Sequence, residues 1–268
     1  MQHFSTDALI LRAVDRGEND KLLTVLAADF GKFYAISKGA HSMKRHELAA
    51  GEPFVWSNME FYERGGVKWV RSATAIETFP GLRYDMDKMF LAAYFCEVAA
   101  ELSDEREPAG EILPLTLNAL YKLSSTGDNA RVKGAFEMRA AAVAGFCPEL
   151  DCCIRCGEAI GGRAYLDVMG GGAVCVPCLR RAAAIAPPPE VDELGQRSVL
   201  LPLSYSALRA LSFVTHADAK RIFAFELKGK EETAVFSAAA EKYLLHHLER
   251  GFDTLENYKK LQALRRTR

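Results

Sequence analysis

Two cysteine pairs constrain this chain more than any other feature: Cys153-Ile154-Arg155-Cys156 and Cys175-Val176-Pro177-Cys178, separated by a stretch short enough for one β-hairpin. Paired Cys-x-x-Cys turns at this spacing are a zinc signature. Two thiolates on a tight turn grip one ion, and a second such turn completes the tetrahedron. Gly157 follows the first pair, where the chain needs a positive φ that glycine adopts at little cost. Between the pairs, Arg163 to Val168 reads as a strand, Gly170-Gly171-Gly172 as the turn and Ala173-Val174 as the return. The four thiols therefore meet at the open end of the hairpin. Four protein ligands close such a site to water and substrate, so the expected cofactor is one structural Zn2+ per chain. Reduced buried cysteines and a redox dithiol are the rival readings, but a dithiol needs only one Cys-x-x-Cys. Cys152 competes with Cys153 for the ligand position, and the spacing of the second pair favours Cys153. Cys96 falls in a helical apolar pattern and reads as core.

A length of 268 residues accommodates two or three domains, and 49% hydrophobic with 26% charged residues is ordinary for a globular protein. No run is long enough to span a membrane, and Met1-Gln2-His3-Phe4 lacks the start of a signal peptide. The expected location is cytoplasmic. Seven cysteines, an odd number, with a thiolate site agree with a reducing compartment. The expected fold is α+β and multidomain. Apolar runs at Ala8 to Val14, Leu22 to Ala27, Phe33 to Ser37, Phe54 to Tyr62 and Val67 to Thr74 predict five short strands over residues 1–80. Five strands with small turns and one long loop suit a small barrel of the OB type. The period then turns helical. Asp85 is the expected cap of a first helix, followed by helices over Glu111 to Leu123, Ala130 to Ala144, Ser204 to Phe213, Ala217 to Leu227 and Thr233 to Arg250. Pro187-Pro188-Pro189 and the stretch into Leu200-Leu201-Pro202 read as a connection. The expected division is a barrel over 1–80, a helical domain over 81–147 and 182–250, a zinc module over 148–181, and a basic tail over 251–268.

A net charge of −1 excludes a uniformly basic coat, so any nucleic-acid partner must meet a local patch. Residues 30–46 contain Lys32, Lys38, Lys44 and Arg45 and no acidic residue, a local charge of +4. Over residues 1–80 as a whole, ten basic residues balance ten acidic ones. Such segregation on one strand and its loop is what phosphate binding requires. Gly39 and Ser42 permit close backbone approach, and Arg12 and Arg16 on the first hairpin extend the patch.

Several of these segments carry a resemblance. The run Gly17-Glu18-Asn19-Asp20, then Leu22-Leu23-Thr24-Val25, Gly31-Lys32, Lys38-Gly39-Ala40 and Leu48 to Phe54 resemble the N-terminal domain of the bacterial RecO recombination and repair family. The likeness continues through Leu82-Arg83-Tyr84-Asp85, Phe136-Glu137 to Gly145-Phe146, and the cysteine module with its Gly-rich hairpin. It covers most of residues 5–180. The resemblance implies an OB-fold DNA-binding domain, a helical domain and a zinc module that some members have lost. It also implies a non-enzymatic mediator of DNA repair. Such a protein binds single- and double-stranded DNA, anneals complementary strands, and acts with RecR to load RecA onto DNA covered by single-stranded-DNA-binding protein. A nucleoid-associated location follows from that role. The partner's acidic, apolar C-terminal tail is expected on a basic-rimmed apolar groove, and Arg131, Lys133 and Phe136 supply that mixture. The alternative face of the same segment is a buried Phe136 with solvated cations.

Among the strand aromatics, Tyr34 and Trp69 are candidate base-stacking residues, with the register left open. No catalytic constellation accompanies them. A zinc nucleobase deaminase needs His-x-Glu ahead of Pro-Cys-x-x-Cys, whereas His247-Leu248-Glu249 follows the cysteines and Pro177 lies inside the second pair. A protein-binding adaptor with no direct DNA role is the remaining alternative.

Overall fold

A computed structural model of the chain describes residues 2–39, 50–105, 107–185 and 199–266. Five strands come first: β1 (Gln2–Arg16), β2 (Asp20–Ala27), β3 (Gly31–Ser37), β4 (Trp56–Arg64) and β5 (Val67–Glu77). They form a closed barrel in the order β1-β2-β3-β5-β4. Closure depends on the length of β1, whose first part pairs with β4 and whose second part pairs with β2, with a register shift between Ile10 and Arg12. This is the five-stranded OB architecture the apolar runs predict. Alternate residues point inward, so Ala8, Ile10, Leu23, Val25, Phe33, Met59 and Phe61 form its buried interior. Phe33 and Phe61 meet edge to face there at 5.2 Å.

Among the described residues the α-helices are α1 (Met86–Glu101), α2 (Ile112–Ser125), α3 (Asn129–Val143), α4 (Val176–Ile185), α5 (Tyr205–His216), α6 (Gly229–His247) and α7 (Asp253–Arg266). Asp85 caps α1 as expected, its carboxylate accepting from the Asp87 N–H at 2.8 Å. Helix α1 packs on β1 and α2, and Cys96 on it is buried. The segment expected as a basic C-terminal tail is largely α7, which packs on α1. Phe252 meets Tyr94 at 5.4 Å, Thr254 Oγ1 donates to Glu97 Oε2 at 2.6 Å, and Arg265 pairs with Asp87. Leu255 is fully buried, an anchor that a solvated tail does not provide.

The chain divides into two compact units, residues 1–129 with 252–268, and residues 130–251. The helices grouped as one domain by sequence are therefore shared between the two. In the second unit, β6 (Ala164–Asp167) and β7 (Gly172–Cys175) form the expected hairpin, and β8 (Leu200–Leu203) adds a third strand in the order β7-β6-β8. Pro202 makes that stretch read as a break, yet β8 is an edge strand, where a missing N–H is tolerated. The helix expected over Ala217 to Leu227 is absent. Isolated turns replace it, with Arg221 N–H donating to Asp218 O and Ala224 N–H to Arg221 O. They bury Ile222 fully and set Phe225 5.1 Å from Phe236, so the apolar pattern is satisfied without helical hydrogen bonds.

Candidate metal centre and nucleic-acid interface

Cys153 and Cys156 lie on a tight turn before β6. The Gly157 N–H donates to Cys153 O at 2.8 Å, and the positive φ of 74° at Gly157 meets the requirement read from its position. Cys175 ends β7 and Cys178 lies in the first turn of α4, so the hairpin and helix start carry the second pair. The sulfurs of Cys153, Cys156, Cys175 and Cys178 all lie within 4.8 Å of one another. Cys156 and Cys175 are 3.9 Å apart, too far for a disulfide of about 2.05 Å. That separation matches the edge of about 3.8 Å in a sulfur tetrahedron with metal bonds of about 2.3 Å. Cys152 is not in the group. Its N–H instead donates to Glu149 Oε1 at 3.0 Å.

The electrostatics of the four thiols are uneven. Burial raises the Cys153 thiol, but backbone N–H groups of Cys175, Arg155 and Cys156 outweigh it and bring the pKa down to about 6. Hydrogen bonds with Cys156 and Cys175, then burial, push Cys178 up to about 12. Four thiolates crowded into so small a volume repel one another, and a cation between them removes the conflict. The donor set and its geometry therefore fit one thiophilic metal ion.

The barrel holds the second site. Among the expected DNA-binding residues, Arg12, Arg16 and Lys38 are exposed, whereas the Lys32 ammonium donates to Ala100 O at the end of α1. Lys32 is thus tied back to the fold. Lys44 and Arg45 lie outside the described residues. Arg16 is paired in register with Asp20, whose carboxylate accepts from the Gly39 N–H at 3.0 Å, so Arg16 and Lys38 belong to one end of the barrel.

A cleft of about 570 Å³ opens at this end, lined by His3, Lys38, Tyr62, Arg64, Trp69 and Arg71 with Gly65. His3 is opposite Tyr62 on β1 and β4, and Tyr62 is opposite Trp69 on β4 and β5, so one row of side chains crosses three strands on the outer face. The Tyr62 and Trp69 rings are 6.4 Å apart and within 14° of parallel. The Lys38 ammonium lies 4.8 Å from the centre of the Trp69 ring. Tyr34, the other aromatic candidate, is half exposed and lines a smaller cleft of about 360 Å³ that also contains Asp29 and Glu105. His3, Tyr62, Arg64 and Arg71 were not singled out by sequence, although the signal was present. Gly65-Gly66 is a two-residue hairpin turn, and a turn of that length sets Tyr62 opposite Trp69.

The segment with Arg131, Lys133 and Phe136 has a different environment from the one expected. Phe136 is fully buried and Lys133 is 4% exposed. The Lys133 ammonium pairs with Glu137 at 2.9 Å and Glu241 at 2.7 Å, while the Arg131 guanidinium donates to Phe225 O at 3.1 Å. No exposed groove of Lys133 and Phe136 exists there, because the interior of the unit already satisfies both.

The structure defines a class: a closed five-stranded barrel of OB topology with an aromatic, cationic cleft, in a chain that also has a four-thiol group able to hold a metal ion. The comparisons narrow the class. Residues 1–79 match the family model for the recombination protein O N terminal domain, and residues 83–256 match that for its C terminal domain. The chain belongs to the RecO family. It is 26% identical to the DNA repair protein RecO of Acetivibrio thermocellus over 99% of this chain and 100% of that one. It is 35% identical to that of Myxococcus xanthus over 79% and 82%. It is 36% identical to that of an Anaeromyxobacter species over 67% and 72%. Membership places the chain in DNA repair and recombination, in a family of mediators rather than enzymes. Among the described residues, no helix is long and apolar enough to cross a membrane.

Proposed function

We propose that this chain is a DNA-binding recombination mediator. In this reading it binds single- and double-stranded DNA through the barrel, anneals complementary strands, and with RecR assists RecA loading on DNA covered by single-stranded-DNA-binding protein. The observation that carries the reading is the aromatic cleft of the OB barrel with Lys38, Arg64 and Arg71 in its lining, and Arg12 and Arg16 exposed on the first hairpin, in a chain of the RecO family. Lys44 and Arg45 continue the same basic run in sequence. Family membership supports RecR and the acidic tail of single-stranded-DNA-binding protein as partners, and a cytoplasmic, nucleoid-associated location. The four cysteines hold one structural Zn2+ that ties the turn before β6 to the end of β7 and the start of α4.

Oligonucleotide binding across a salt series tests the barrel. If Lys38, Lys44, Arg45 and one further cation each neutralise a phosphate, the log-log slope for single strands is about −3, and replacing those three by Ala reduces it to about −1. A triple variant with the parent's affinity and slope removes this surface from the reading. Annealing of complementary strands by the purified protein tests the activity.

A further inference from the structure

The row of rings at the barrel end has a geometry that bulk positive charge does not require. Tyr62 and Trp69 are both half-buried and nearly parallel at 14°, so bases stacked on the two rings have the same tilt, as successive bases of a single strand do. Lys38 lies over the Trp69 ring, and Arg64 and Arg71 line the same cleft. Its lining thus includes three cations and no carboxylate, although Glu60 approaches Arg71 at 3.9 Å from outside it. The cleft, of about 570 Å³, has room for unpaired bases. Faces of paired bases are covered by their neighbours, so only unpaired bases reach such rings.

We propose that His3, Tyr62 and Trp69, with Lys38, Arg64 and Arg71, form a stacking platform for unpaired DNA bases, so that this end of the barrel selects single strand over duplex. The proposal rests on the reading that the barrel binds DNA. Bases stack on Tyr62 and Trp69. Arg64 and Arg71 contact the flanking phosphates, and Lys38 moves from the Trp69 face to the strand. The site lies on β1, β4 and β5 with the end of β3, so the β4–β5 hairpin, held in register by Gly65-Gly66, positions it.

The chain has two tryptophans, Trp56 and Trp69, so Trp56→Phe leaves Trp69 as the reporter. With that protein, oligodeoxythymidylate at saturation is expected to quench the emission, while a duplex of equal length is not. Tyr62→Ala and Trp69→Ala should each weaken single-strand binding by about tenfold or more and leave duplex affinity within about twofold, and Trp69→Phe should restore most of the loss. Saturating single strand with no quenching, or Ala variants with parental single-strand affinity, overturns the platform and leaves the DNA-binding reading in place. Equal losses for single strand and duplex, not restored by Trp69→Phe, assign the rings a structural role and also overturn it. A parent protein that binds neither oligonucleotide at low salt overturns the DNA-binding reading itself, and the platform with it.

Discussion

Lys133 and Glu137 are four residues apart on α3, a spacing that on an exposed helix face contributes only a few tenths of a kcal/mol. Here the Glu137 side chain is fully buried and that of Lys133 is 5% exposed, so the same pair is desolvated, and Lys133 also meets Glu241 at 2.7 Å. Lys133→Met is expected to cost about 3–5 kcal/mol, read as a fall in the denaturation midpoint, because it removes the buried cation shared by Glu137 and Glu241. Adding Glu137→Gln should recover part of that loss; a Lys133→Met protein as stable as the parent would show the pair to be dispensable. His247 supplies a pH dependence. It stacks on Phe146 at 4.9 Å, and burial and then His246 hold its imidazole below the ordinary value, against a hydrogen bond with the Val168 backbone. As pH falls below about 6.5 the unfolded chain takes up the proton first. Stability should therefore drop on acidification through that range, and His247→Gln should flatten the drop in a urea-midpoint series against pH.

Helix α3 meets α6 at Gly134, where an added Cβ would come 2.7 Å from the Phe236 ring and 2.9 Å from Ser237 Cα. Helix propensity alone favours Ala over Gly by about 1 kcal/mol, whereas overpacking costs about 1–3 kcal/mol. Gly134→Ala is expected to be net destabilising, lowering the melting temperature, and a rise would show that α6 yields at this contact. The cysteine module is the other element whose stability is local. Metal analysis should find about one zinc per chain, lost in Cys175→Ser and retained in Cys152→Ser, since Cys152 stands outside the sulfur group. Metal loss in Cys152→Ser with retention in Cys153→Ser would reverse the ligand assignment. The hairpin was legible from its glycines and β8 was not, because an edge strand with Pro202 differs from a loop only once β6 is there to pair with it.

At the scale of the whole molecule, each compact unit has its own buried residues, and the four clustered thiols all lie in residues 130–251. Chelation is therefore expected to lower one thermal transition and spare the other, with oligonucleotide binding by the barrel retained after metal removal. Loss of both transitions together in calorimetry would refute that independence. Five strands, the caps at Asp85 and Ser204 and the four-thiol group follow from local sequence, because alternation, capping chemistry and Cys-x-x-Cys spacing act over a few residues. Tertiary structure alone decided which side chains of these basic segments face solvent and which are tied into the fold. Lys133, Lys32 and Phe136 sit in patterns that a solvated basic face also has, and only the packing of α6 and α1 distinguishes them. The docking of α7 on α1 and the closure of β1 onto β4 join segments far apart in the chain, so no local pattern encodes them.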